Sequence, residues 1–282
     1  MKSSIRLLSS ILRAVAGLLP LFLVAVAAAQ PVSFGTPSYR VQCDPETGRY
    51  EVRDQQTGQV WRSNPYRPRF GEAALWVGGK LQQFDLARCE AVSVSDGLDL
   101  TFRPVAGQPQ GWLRVWLRAE LAGKALGFSY EAQGLSVESV RLLDQALWVT
   151  EEDSGYVVVP VREGLLVPAD SGLAFTNRFD TYAYEGCHMQ MIGSVMGGAA
   201  VLVTWSNPYA VAEVRSTLSN TNELAGKQTL STSLVLRHSP GAARLQFLGA
   251  GDYVAIGKAY REVARSRACS CPGPKSSRTI PN

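Results

Sequence analysis

The fold is decided by the stretch 155–209, which opens with GYVVVPVREGLLVPADSG at Gly155–Gly172 and closes with AAVLVTWSNPY at Ala199–Tyr209. Both ends contain short apolar runs, rich in valine and leucine, that stop at a proline or at Asn-Pro. Runs of this kind predict strands separated by turns. The segment between them is polar and aromatic, so we expect a rigid set of strands to present a functional loop here.

Upstream of this stretch, apolar and polar residues alternate in short runs. The longest run is Trp112–Leu121, WLRVWLRAEL. Another pair of runs flanks Ser95-Asp96-Gly97, a sequence that favours a tight hairpin turn. Strand follows strand with no helical period between them. The sequence therefore predicts an all-β fold, a large antiparallel β-sandwich.

The period changes near the end of the chain, at Asp252–Arg265. Tyr253, Ile256 and Val263 recur at helical spacing, with Ala259 or Tyr260 on the same face, so we predict one C-terminal amphipathic helix. The residues after it are rich in Ser, Pro and Lys and have no apolar period, which is typical of disorder. The predicted division is a signal peptide at 1–29, a β-sandwich at 30–250, a connector helix at 251–267 and a disordered tail at 268–282.

The N-terminus has the features of an export signal. Lys2, Arg6 and Arg13 precede the apolar segment Ala14–Ala29, whose final alanines suit cleavage before Gln30. That segment is shorter than the ~20 residues that a spanning helix needs. We therefore expect an exported protein, periplasmic or extracellular, with no stable membrane span after cleavage. An uncleaved anchor is the alternative.

Charge and cysteine content limit the partners and cofactors. The formal net charge is +4, and most of it leaves with the signal segment, which argues against nucleic acid as a partner. The five cysteines are not at zinc spacing. An oxidising compartment permits a disulfide between Cys43 and Cys89, and two buried free thiols are the alternative. We expect no cofactor and no metal, including at Cys269 and Cys271.

Enzymatic chemistry has few candidates in this sequence. Common motifs for serine hydrolases, nucleotide binding and zinc proteases are absent. Cys187 and His188 are neighbours, and neighbours on a strand point to opposite faces, so they make a poor catalytic pair. The same alternation argues against a metal site formed by Glu185, Cys187 and His188, because His188 would point away from the other two. Paired carboxylates could serve glycoside hydrolysis, but the spacing does not select a pair, and we assign no catalytic residue.

Sugar binding requires less: aromatic faces for the apolar side of a pyranose and planar polar groups for its hydroxyls. The segment after the first strands supplies both. If it continues as one strand, Asp180, Tyr182 and Tyr184 share a face. Ordinary core or rim tyrosines are the alternative. The predicted carbohydrate-binding residues are Arg178, Asp180, Tyr182, Tyr184, Glu185 and His188.

Four segments also carry a family resemblance. They are VVVPVREGLLVPADSG at Val157–Gly172, FDTYAYEGCHMQMIG at Phe179–Gly193, AAVLVTWSNPY at Ala199–Tyr209 and GDYVAIGKAYREVAR at Gly251–Arg265. Together they resemble the N-terminal β-supersandwich, similar to galactose mutarotase, of secreted bacterial glycoside hydrolases of the endo-α-N-acetylgalactosaminidase-like type. The resemblance implies that a catalytic (β/α)8 barrel follows in full-length relatives and holds the catalytic carboxylates.

This chain departs from the family pattern at Ala268, where the barrel should begin. A natural truncation or a frame error would both produce that change in composition. The sequence therefore predicts a carbohydrate-binding or scaffolding β-sandwich of an exported glycoside hydrolase-like protein, without the catalytic barrel, with a glycan or polysaccharide as partner. The alternatives are a self-sufficient mutarotase- or lyase-like enzyme that uses His188 with Glu185 or Asp180, and a purely structural interaction domain.

Overall fold

The computed structural model describes residues 30–219 and 224–270, and the side chains only as far as 267 in the final helix. The predicted signal peptide and residues 271–282 of the predicted tail lie outside these residues. Within them the chain forms strands in three sheets, a short 3-10 helix at Leu121–Gly123 and one α-helix. Every pairing between these strands is antiparallel. The predicted all-β class is confirmed.

The strands are numbered in order along the whole chain and are described here sheet by sheet. The small sheet has four: β1 (Val32–Gly35), β2 (Tyr39–Cys43), β3 (Tyr50–Asp54) and β4 (Val60–Arg62). The six-stranded sheet contains β5 (Gly71–Val77), β6 (Lys80–Leu86), β11 (Ser136–Thr150), β14 (Phe175–Asp180), β17 (Val211–Leu218) and β18 (Gln228–Arg237), in the order β14-β17-β18-β11-β5-β6.

The nine-stranded sheet makes up the opposite side of the sandwich. It contains β7 (Cys89–Val94), β8 (Gly97–Phe102), β9 (Trp112–Glu120), β10 (Ala125–Gln133), β12 (Tyr156–Val159), β13 (Leu165–Pro168), β15 (Met191–Met196), β16 (Ala199–Trp205) and β19 (Ala242–Ala250). Their order is β13-β12-β15-β16-β19-β10-β9-β8-β7.

The core is apolar and draws on all three sheets, as expected where strands bury alternate side chains. In β9 the predicted alternation holds: Leu113, Val115 and Leu117 are fully buried, while the tryptophans and arginines between them are half-buried. Aromatic rings fill the centre, where Phe70 lies 5.2 Å from Tyr50 and 5.7 Å from Phe102 between ring centroids. Such tilted ring pairs add stability beyond the apolar area that they bury.

The predicted helix is present as α1 (Tyr253–Ser270) and extends three residues past the predicted boundary at 267. Asp252 caps it, since its Oδ1 accepts hydrogen bonds from the backbone N–H groups of Val254 at 2.9 Å and Ala255 at 3.2 Å. The apolar face packs on the nine-stranded sheet through Ile256 and Val263, both buried. None of the helices in the described ranges is long and apolar enough to cross a membrane.

A chain of buried charges crosses the six-stranded sheet. Arg69, 5% exposed, donates from Nε to Asp144 Oδ2 at 2.6 Å and pairs with Glu72 at 2.8 Å and with Asp85. Burial alone lowers the pKa of Arg69, but the bonds to Asp144 and Asp85 outweigh burial and hold the pKa above its ordinary value. This arginine therefore stays charged inside the fold.

The same chain of charges continues toward the edge strand β14. Arg141 pairs with Glu213 at 3.1 Å and lies 3.8 Å from Asp144. Glu213 in turn lies 3.9 Å from Arg178. One end of this network is thus buried, and the other reaches the surface at one of the predicted site residues.

Candidate functional site

The predicted site begins where the edge strand β14 ends, at Asp180. The chain does not continue as a strand: residues 181–190 form a compact loop with one isolated bridge between Thr181 and Cys187. Tyr182 also has a positive φ of 61°. The alternating faces expected for Asp180, Tyr182 and Tyr184 therefore do not exist, because the strand that would create them stops at the first of the three.

Backbone hydrogen bonds hold this loop in shape. The Cys187 N–H donates to the Asp180 carbonyl at 3.1 Å, and the Tyr182 N–H donates to the Cys187 carbonyl at 2.9 Å. A Cβ on Gly186 would lie 1.9 Å from the Asp180 oxygen, so only glycine fits there. The Cys187 side chain is buried beneath the loop, and burial raises the pKa of its thiol to about 12. The loop is a closed structure anchored on the core.

Two tyrosines project from the loop into solvent. Tyr182 is 63% exposed and Tyr184 is 81% exposed. Neither tyrosine is therefore part of the core. Exposed rings fixed on a hydrogen-bonded loop are suited to contact a ligand or another protein surface.

Arg162 joins this loop from the turn between β12 and β13. Its guanidinium pairs with the carboxylate of Glu185 and lies 5.7 Å from the centre of the Tyr184 ring. The His188 Nε2 is 3.1 Å from the Tyr184 carbonyl oxygen, and its backbone N–H donates to the Pro160 carbonyl at 3.0 Å. We call Arg162, Tyr184, Glu185 and His188 the loop cluster. Sequence reasoning missed Arg162, whose only signal was its place in the Val-Arg-Glu-Gly turn.

The other two predicted residues lie on β14 rather than in the loop cluster. Asp180 pairs with Arg237 at 2.6 Å, and Arg237 also donates from Nε to the Tyr209 carbonyl at 3.1 Å. Arg178 lies at the exposed end of the charge network already described. The predicted six residues therefore divide into a loop group and a strand group, and each charged member has a protein partner.

This arrangement bears on the catalytic and metal alternatives. Glu185 forms an ion pair with Arg162, and Asp180 forms one with Arg237. The His188 ring contacts the backbone carbonyl of Tyr184. Within the described residues, no group of three or more His, Cys, Asp or Glu side chains is placed to hold a metal ion. The loop cluster offers a charged and aromatic surface rather than a nucleophile with its base.

Two cavities lie elsewhere on the described part of the chain. One, of about 320 Å³, lies over the small sheet and includes Glu51, Arg62 and Trp148, with the Arg62 guanidinium 5.7 Å from the centre of the Trp148 ring. The other, of about 300 Å³, lies beside α1 and includes Trp205 and Arg244. None of the six predicted residues lines either cavity. No pattern in the sequence indicated the cavity over the small sheet.

Comparison with known proteins adds information on the fold. No family model matches this sequence, and no curated protein matches it. The fold is similar to that of the α-N-acetylgalactosaminidase NagBb from Bifidobacterium bifidum. Its complex with GalNAc gives a TM-score of 0.67 at 14% sequence identity, over 84% of this chain and 39% of that chain. The ligand-free form gives 0.65 at 15% identity over the same shares.

The likeness establishes a shared fold. This chain spans about two-fifths of the length of the enzyme chain that it matches, 39%. A β-sandwich of this topology therefore occurs as one part of a larger glycoside hydrolase chain.

Proposed function

We propose that this chain is a non-catalytic accessory domain of an exported glycoside hydrolase-like protein and that it binds or positions carbohydrate. The observation that supports the proposal is the match of 84% of this chain to only 39% of an α-N-acetylgalactosaminidase chain. A match of that kind is consistent with a domain that accompanies a catalytic domain in a longer chain. Fold alone does not imply function, so the sugar contacts are argued from the loop.

Tyr184 is the residue best placed to contact a sugar. Arg162 covers one face of its ring at 5.7 Å, and the side chain is 81% exposed, which leaves the other face free for the apolar side of a pyranose. The ion pair between Arg162 and Glu185 lies beside the ring and offers N–H donors and carboxylate acceptors to hydroxyl groups. The structural neighbour was solved with GalNAc, so α-linked N-acetylgalactosamine is the first sugar to test.

The test is glycan binding by the purified protein on a broad array that includes α-linked N-acetylgalactosamine, followed by calorimetry on any hit. The informative variant is the double change Tyr182→Ala and Tyr184→Ala. Its matched control is Tyr253→Ala, an exposed tyrosine, 52% exposed, at the start of α1. Loss of one stacked ring costs roughly 1 kcal/mol or more, about fivefold or more in Kd.

The result expected is a specific hit that the double variant loses and the control keeps. Binding that survives the double variant would refute the proposed loop site while leaving the accessory role open. A blank array from a folded protein would overturn sugar binding and favour the scaffolding role. An observation that favours scaffolding is the exposure of large apolar side chains near the loop and at α1, namely Leu165, Leu166, Met189, Tyr253 and Val254.

A further inference from the structure

The turn between β2 and β3 is docked on the segment that joins β6 to β7. The Cys89 N–H donates to the Pro45 carbonyl at 2.9 Å, and the Arg88 guanidinium pairs with Glu46 at 3.2 Å. Gly48, at φ +72°, packs so closely that an added Cβ would lie 2.6 Å from the Ala87 carbonyl oxygen. The two backbone segments are therefore held together by a hydrogen bond, an ion pair and close packing, none of which involves a cysteine side chain.

Two cysteines flank this contact. Cys43 is the last residue of β2 and is fully buried, and Cys89 is the first residue of β7 and is half-buried. Both are free thiols in this structure, and the backbone contact at 2.9 Å joins Cys89 itself to Pro45, two residues after Cys43. Because the two backbones are docked beside both thiols, a disulfide between them needs little movement of the chain.

We propose that Cys43 and Cys89 are a redox pair that oxidises to a disulfide and joins the small sheet covalently to the nine-stranded sheet. The oxidant is a disulfide donor, either a small-molecule disulfide or a thiol–disulfide oxidoreductase. The two protein thiols lose two protons and two electrons, one S–S bond forms between them, and the donor disulfide is reduced to two thiols. This inference does not depend on glycan binding.

The two cysteines have different roles in that reaction. Cys89 is the accessible one, so its thiolate attacks the donor disulfide and forms a mixed disulfide, releasing the first donor thiol. The hydrogen bond in which the Cys43 thiol donates to Cys89, together with burial, raises the pKa of the Cys43 thiol above its ordinary value. Cys43 must lose its proton before it can attack Cys89 Sγ and release the second donor thiol. We therefore expect slow oxidation of the folded protein and faster oxidation during folding.

The bond would close a loop that contains β3, β4, β5 and β6, so it spans strands of the small sheet and of the six-stranded sheet. Closing a loop of that length restricts the unfolded chain considerably. We expect the thermal midpoint of the oxidised protein to exceed that of the reduced protein by roughly 10 °C.

The test is peptide mapping of the full-length protein. One sample is refolded in a glutathione redox buffer and another in excess dithiothreitol, and free thiols are alkylated before digestion with trypsin. Arginines flank both cysteines, and Pro104 protects Arg103 from cleavage. The expected product is therefore Val41–Arg49 linked to Cys89–Arg114, present in the oxidised sample and absent from the reduced one.

Recovery of both peptides alkylated and unlinked after oxidation would overturn the proposal. So would linkage of either peptide to Cys187, Cys269 or Cys271. The variant Cys89→Ser provides the thermal control, because its midpoint should not change between the oxidising and reducing buffers. If that variant does not fold, the mapping of the unmodified sequence still decides.

Discussion

The buried charge network supports a quantitative prediction about stability. Arg69→Met keeps most of the side-chain volume and removes the charge. The guanidinium is 5% exposed and its partner Asp144 carboxylate is 1% exposed, so neither is stabilised by water. After the change Asp144 keeps only the Asn64 amide, at 2.7 Å, as a close donor, with Arg141 at 3.8 Å. Removing one partner of such a buried ion pair lowers the free energy of unfolding by about 3–5 kcal/mol.

The matched control is Arg103→Met. Arg103 also pairs with a carboxylate, that of Glu90, but the two side chains are 43% and 70% exposed. An exposed pair of this kind contributes about 0–1 kcal/mol. The two variants therefore remove the same chemical group from opposite environments. The difference between them measures the effect of burial rather than that of the arginine itself.

Urea unfolding of the three proteins, at one pH and one ionic strength, is the assay. With a slope of about 2–3 kcal/mol per molar, Arg69→Met should lower the midpoint by roughly 1–2 M and Arg103→Met by less than about 0.5 M. Raising the salt concentration should shrink the second effect and leave the first almost unchanged. Equal midpoints for the two variants would refute the assignment of a structural role to the buried network.

Three further predictions concern a thiol, a tyrosine and the helix. Burial raises the pKa of the Cys187 thiol to about 12, so alkylation at pH 8 followed by mass spectrometry should leave Cys187 unmodified until urea unfolds the chain. Burial likewise raises the pKa of Tyr130 to about 12. Between pH 10 and pH 12 the native state therefore binds more protons than the unfolded state, so the free energy of unfolding should fall as the pH rises through that range. Ile256→Ala should lower the free energy of unfolding by about 2–4 kcal/mol and speed hydrogen exchange in α1, because the side chain is fully buried. Unchanged exchange in the helix would mean that α1 does not depend on this contact.

The sequence predicted most of the strands because alternation and turn residues are local signals. The apolar run Ala199–Trp205 forms a strand with those bounds, whereas the run Tyr156–Val161 forms a shorter strand, Tyr156–Val159, which ends before Pro160. The apolar runs Val137–Leu143 and Ala146–Val149 look like two separate strands in the sequence, but both are parts of the single strand β11. Irregular pairing and positive φ angles at Gln145 and Leu147 interrupt its regular period, so the pattern looked like a break in the strand.

The candidate site was harder to predict, for a physical reason. In the sequence Asp180–Tyr184 every second residue is polar or aromatic, as on one face of a strand, whereas the contacts made just after the strand end are tertiary. Thr181 donates its hydroxyl to the Ala210 carbonyl at 2.7 Å, and Trp205 donates its indole N–H to the Thr181 hydroxyl at 3.0 Å. Ala210 and Trp205 lie more than twenty residues away along the chain. Pairs such as Arg162 with Glu185 and Arg69 with Asp144 depend on the same long-range geometry, which no local pattern encodes.

The loop cluster has features that both sugar binding and scaffolding require. Both roles require exposed aromatic side chains on a rigid support, and the loop provides that support through its bonds to Cys187, Ala210 and Pro160. The difference lies in what must surround the ring. A sugar needs polar groups beside Tyr184, which Arg162 and Glu185 supply, whereas a packed domain interface would have to bury that ion pair at a cost in desolvation. The local chemistry therefore favours contact with a hydroxylated ligand at Tyr184, and the apolar residues around α1 are the better candidates for contact with another domain.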